Sequence, residues 1–127
     1  MENKFRFWTP DKRMIYDHDG WMEGIGINEM LYHSKEYGYI PMQYTNLKDK
    51  NGKEIYASDI LLDSNGNKKY RVFNVAGGFA INTHQDDLDR NTPFYTALAD
   101  MQTASYVNGC CEVIGNIHQT PEYVVKF

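Results

Sequence analysis

Polar and apolar positions alternate in short runs along most of this chain, the period that sends successive side chains to opposite faces of a strand. Lys4 to Trp8 (KFRFW) alternates in this way, with Phe5 and Phe7 on one face and Lys4, Arg6 and Trp8 on the other. Thr9, Pro10, Asp11 and Lys12 follow with turn chemistry, because proline presets one dihedral and aspartate bonds nearby backbone. Arg13 to Tyr16 is therefore expected to return as the second arm of a hairpin. Asp17 to Gly20 (DHDG) is another turn signal, and Trp21 to Asn28 carries no clean period. Asn28 to Tyr37 fits either a short helix capped by Asn28 and stopped at Gly38, or a loop.

Met42 to Leu61 (MQYTNLKDKNGKEIYASDIL) holds the strongest local signal, Asn51-Gly52 between two extended segments, since both residues tolerate positive φ. Glu54 to Tyr56 and Asp59 to Asp63 continue as strands, with Ile55, Ile60 and Leu62 expected on the buried face. Ser64 to Asn67 (SNGN) repeats the turn chemistry, Lys68 to Val75 is a strand with apolar residues on both faces, and Gly77-Gly78 turns the chain into Phe79 to Thr83. Closely spaced short strands of this kind predict a small barrel or sandwich.

The period changes after His84. Thr92 and Pro93 suit an N-cap and first helical position, and Phe94, Ala97, Leu98, Met101 and Ala104 recur every three or four residues, which predicts a helix over Pro93 to Ser105 ended by Asn108-Gly109. Glu112 to His118 returns to strand, with Gly115 placed for a bulge or a close backbone approach. Pro121 limits Glu122 to Phe127 to an edge strand or tail. The whole is expected to be a single mainly β domain with a helical insertion over about residues 84–108.

Composition narrows the function classes. The 127 residues suit one hydrophobic core. The net charge of −4 makes the overall field mildly repulsive to phosphate backbones. No apolar run is long enough to span a bilayer and MENKFRFWTPDK lacks the apolar centre of a signal peptide, so a cytoplasmic protein without membrane contact is expected. Cys110 and Cys111 are adjacent, a spacing that disfavours a disulfide between them and suits reduced thiols. Ten Tyr, six Phe and two Trp suit half-buried sheets and also a binding surface.

Several phrases, kept in order, resemble the YopX family of phage and prophage proteins: KFRFW and DKRMIY at the start, MQYTNLKDKNGKEIYASDIL in the middle, Gly78-Phe79, and EVIGNIHQTPEY near the end. Where members of that family commonly carry glycine in TGLKDKNG and EGDI runs, this chain has Asn46 and Ser58. Asparagine tolerates positive φ and serine does so poorly, so the backbone at position 58 is expected to differ locally. The resemblance implies a phage or prophage origin, a mainly β fold with inserted helix, and self-association. It implies no catalytic residues.

Each possible site has a plainer structural counterpart. His84, Asp86, Asp87 and Asp89 form the densest acidic cluster and offer hard oxygen ligands for a divalent metal, as a hydrolase would need, but a solvated loop leading into a helix explains them as well. Asp17, Asp19 and Glu23 lack the spacing of a calcium loop. The histidines sit in no zinc motif, and Gly24 and Gly26 begin a dinucleotide fingerprint that Glu29 breaks. A thiol nucleophile at Cys110 or Cys111 with His118 as base is outweighed by packing. Lys48, Lys50 and Lys53, with Tyr44 and Tyr56 nearby, would suit single-stranded nucleic acid, although Asp49 and Glu54 dilute the charge. The leading expectation is a non-enzymatic, cofactor-free phage accessory protein of the bacterial cytoplasm, a homo-oligomeric β module that binds a host or phage protein. A nucleic-acid-binding small β barrel is the alternative, and a metal-dependent hydrolase is weaker.

Overall fold

A computed structural model describes residues 4–16, 31–63, 65, 67–82 and 95–123. The chain forms two compact units, Met1–Tyr44 and Thr45–Phe127. The protein is mainly β with some helix, as the alternation predicts.

In the first unit, β1 (Phe5–Trp8) pairs antiparallel with β2 (Met14–Tyr16) and with the start of β3 (Ile40–Lys48). The hairpin expected from the Thr9 to Lys12 turn is present: the Thr9 hydroxyl accepts from the Arg13 N–H at 3.0 Å, and Lys12 takes the left-handed conformation at φ 63°. Phe7 and Ile15 centre a small core flanked by Phe5, Leu31 and Tyr39. Residues 31–33 are helical, and the chain then turns and closes at Gly38 (φ 72°), the stop expected there. A Cβ at Gly38 would also stand 3.0 Å from the Pro10 ring.

The second unit begins within β3, whose far end neighbours β4 (Glu54–Tyr56) through the Asn51-Gly52 hairpin, with Gly52 at φ 81°. A five-stranded sheet follows in the order β8-β7-β6-β5-β9, formed by β5 (Asp59–Asp63), β6 (Lys68–Val75), β7 (Gly78–Asn82), β8 (Tyr95–Ala97) and β9 (Cys111–Asn116). Gly77 at φ 83° makes the β6–β7 turn. Helix α1 (Met101–Cys110) runs directly into β9. The core joins Ile55, Leu61, Val72, Ile81, Leu98, Val107 and Cys111.

Three expectations need correction. The helix does not span Pro93 to Ser105: Tyr95–Ala97 is strand β8, and the helix starts at Met101. Its N-cap is Asp100, whose carboxylate accepts from the N–H groups of Gln102 at 2.8 Å and Thr103 at 3.4 Å. The apparent helical spacing was coincidental, since Met101 is 85% exposed and Val107 is the helix's buried residue. Pairing of Tyr95 and Thr96 with β7 satisfies the backbone there instead. The helix also continues through Asn108-Gly109 to Cys110.

On β5 it is Leu61, not Leu62, that is fully buried beside Ile60. Leu61 and Asp63 share a face of the strand, and Asp63 is accommodated there because Tyr106 donates its hydroxyl to it. At position 58 the backbone keeps the glycine-like conformation despite the serine: Ser58 stands at φ 77° and Asn46 at φ 66°. The turn is held from several sides. Ser58 N–H donates to Val72 C=O at 2.8 Å, Ser58 C=O accepts from Ile117 N–H at 3.1 Å, and the buried Asp59 accepts from Tyr56 N–H at 2.8 Å.

Candidate binding surfaces

The lysine hairpin is scaffold at its centre and charged at its rim. Asp49, only 3% exposed, sits within the turn and accepts from the N–H groups of Asn51 and Lys53 at 2.9 Å each and, across the unit, from Val113 at 2.9 Å. Asn108 donates to Lys48 C=O at 3.0 Å, and Lys50 N–H to Cys111 C=O at 3.0 Å, so the hairpin is tied to β9 and to the end of α1. Sequence reasoning took Asp49 for a diluting surface charge, because its partner at Val113 is remote along the chain. Lys48, Lys50 and Lys53 do point outward. Tyr56 is 2% exposed and Tyr44 is 5% exposed with the Lys4 ammonium 5.1 Å from its ring centre, so as placed neither ring offers a base a face to stack on.

His84, Asp86, Asp87 and Asp89 lie outside the described residues, as do Asp17, Asp19 and Glu23. Among the described residues no three His, Cys, Asp or Glu groups come together as a metal site. No helix there is long and apolar enough to cross a membrane. Cys111 is buried and its thiol is pushed up to about 11, chiefly by burial, so it is held as a thiol rather than as a nucleophilic thiolate.

Two surfaces remain. In the second unit, Tyr70, Ile81, Thr96, Gln102, Thr103 and Tyr106 line a cleft of about 300 Å³. Tyr106 donates to Asp63 and so must accept from Tyr70, whose hydroxyl lies 3.0 Å away. Desolvation, followed by the bond to Asp63, holds the Tyr106 phenol well above its ordinary pKa. A phenol bound in this way has no proton to exchange near neutrality, so Tyr106 does not serve as a general base there.

In the first unit, Tyr32 and Tyr37 are 81% and 55% exposed, and Ile40 is also exposed. The rings form a chain: Tyr32 to His33 at 4.9 Å, His33 to Tyr37 at 5.8 Å and Tyr37 to Tyr39 at 6.0 Å. Their backbone is fixed by Tyr37 N–H to His33 C=O at 3.2 Å, Tyr39 N–H to Ser34 C=O at 2.8 Å, and the Ser34 hydroxyl to Leu31 C=O at 2.9 Å. Rigid exposed aromatics make large contact areas at small entropic cost. The sequence shows these tyrosines but not their exposure, which follows from the turn that Gly38 closes.

These features define a small, mainly β protein with some helix. The chain belongs to the YopX family, whose model, described as YopX protein, matches residues 4–124. A crystal structure of protein EF1440 from Enterococcus faecalis has a similar fold, with a TM-score of 0.62 and 23% sequence identity, covering 98% of this chain and 99% of that one. No curated protein matches the chain.

Proposed function

We infer that this protein is a non-enzymatic accessory module that works by self-association and by binding another protein, within a phage or prophage setting and in the cytoplasm. The observation that carries this reading is the chain of rings Tyr32, His33 and Tyr37, with both tyrosines exposed, together with the exposed Ile40. Tyrosine is enriched where proteins bind. Lys35 and Glu36 flank the rings with opposite charges, a pairing that is self-complementary across a two-fold axis. Glu36 also fixes His33, 3.0 Å from its Nδ1. The buried carboxylate of Asp49 and the bonds to Asp63 and Asp59 serve the fold, which leaves them outside any hydrolytic role.

Light scattering at micromolar concentration tests the reading. A mass of twice the 14.8 kDa chain or more supports it, and a monomer at every concentration overturns it.

A further inference from the structure

The cleft of the second unit is separate from the tyrosine surface and has a chemistry of its own. We propose that it binds a neutral, hydroxyl-bearing ring of monosaccharide size. At about 300 Å³ it lies at the lower end of the range of roughly 300–1,000 Å³ in which ligand pockets fall, so its occupant is small.

Its lining selects against charge. Among the described residues, no Lys, Arg, Asp or Glu side chain lines the cleft. The Asp63 carboxylate accepts the Tyr106 hydroxyl proton, so that proton is committed to Asp63 and is not offered to a phosphate or carboxylate in the cleft. Among the described residues, neither a counter-charge for an anion nor an ionised partner for a cation lines the cleft.

The polar groups on offer are hydroxyls and the carboxamides of Gln102 and Asn82, the latter already accepting from Arg71 N–H at 2.6 Å. Among the described residues, the side chains of Thr96, Gln102 and Thr103 make no hydrogen bond, and each can both donate and accept, as sugar hydroxyls require of a partner. The Tyr70 and Tyr106 rings meet edge to face, at 90° with centres 6.0 Å apart. Their edge-to-face packing leaves no parallel pair to sandwich a flat base, whereas the half-buried Tyr70 and Tyr106 rings give apolar surface for the C–H face of a saturated ring. The floor is rigid because Tyr70 donates to Tyr106 and Tyr106 to Asp63. Gln102 and Thr103 are positioned by the Asp100 cap at the start of α1. Such a ring occurs both in free sugars and in the ribose of a nucleoside.

The test is a chemical-shift titration of nitrogen-labelled protein with glucose, N-acetylglucosamine and uridine, and in parallel with glucose phosphate and uridine monophosphate. Saturable shifts at the amides of Thr96, Gln102 and Thr103 are expected with a neutral probe, weaker with its phosphorylated form. Whether the sugars or uridine responds identifies the source of the ring. Thr103→Val and Gln102→Ala should each weaken binding about fivefold, one hydrogen bond's worth. Because both positions are on the rim of the helix, an unchanged amide spectrum outside the cleft will show that the variants are folded. Absence of saturable shifts with every neutral probe, tighter binding of the phosphorylated forms, or binding untouched by both variants would each overturn the proposal. Self-association of Thr103→Val reports separately on the tyrosine surface.

Discussion

Ser58→Gly should stabilise the protein, against the usual direction for a substitution in a structured turn. Ser58 stands at φ 77°, in the left-handed region, where an L-residue with a Cβ is disfavoured by roughly 1–2 kcal/mol. The turn cannot relax out of it, because Ser58 is bonded through its N–H to Val72 and through its C=O to Ile117. Glycine keeps both backbone groups and removes the Cβ clash, at an unfolded-state entropy cost of about 0.5–1 kcal/mol. The net expectation is a gain of about 0.5–1 kcal/mol. Urea unfolding followed by circular dichroism measures it as a higher midpoint at constant slope. Asn46→Gly is the internal comparison: asparagine tolerates φ 66°, so its replacement relieves little strain and should not stabilise the protein as Ser58→Gly does. Ser58→Val, a β-branched residue in the same conformation, should lose about 1–2 kcal/mol. A destabilised Ser58→Gly, or a Ser58→Val as stable as the parent, would refute the strain reasoning.

Other consequences can be measured alongside it. Asp49→Ala leaves the N–H groups of Asn51, Lys53 and Val113 without their acceptor and should cost about 3 kcal/mol or more by urea unfolding; a loss under about 1 kcal/mol would mean that water replaces the carboxylate freely. Gly115→Ala should also destabilise, by roughly 1–3 kcal/mol. The new Cβ would fall 2.1 Å from Thr120 Oγ1, which accepts from Asn116 N–H and donates to Asn116 C=O, so a wild-type midpoint would contradict the close approach. At alkaline pH, burial keeps the Cys111 proton on to about pH 11, whereas an unfolded thiol releases it near the ordinary value of 9.0. Stability is therefore complete below pH 9 and falls on the order of 2 kcal/mol as pH rises through about 11, and Cys111→Ala should flatten that fall; an equally steep decline in the variant would remove the assignment.

What was legible in the sequence is what short-range chemistry decides. Gly52 and Gly77 lie where positive φ turns a hairpin, and the bulge at Gly115 is real: Ile60 pairs with Gly115 but Leu61 with Val113, leaving Ile114 as the extra residue. Thr120 approaches the same glycine. The serine at position 58 was misjudged because local preference was set against two tertiary bonds and one local bond around one turn, and the bonds win. The α1 boundary failed for a similar reason, since β8 exists only by virtue of its pairing with β7 and Asp100 is an unremarkable acid until the helix starts behind it. The surfaces were harder still. Tyr44 and Tyr56 look no different from Tyr32 and Tyr37 along the chain, yet the first two fill the interior and the second two face solvent. Nor does any pattern place Tyr70, Thr96 and Tyr106 around one cleft, because each comes from a different element.

The account stands or falls on the tyrosine surface as the site of self-association. Sedimentation equilibrium of the parent and of a Tyr32→Ser/Tyr37→Ser variant measures it directly. Exposed aromatics at the centre of an interface contribute about 2 kcal/mol or more each, so losing both should weaken association by at least about several hundredfold while the circular dichroism spectrum stays unchanged. A variant that associates as strongly as the parent, or a parent that sediments only as a monomer, would contradict the account.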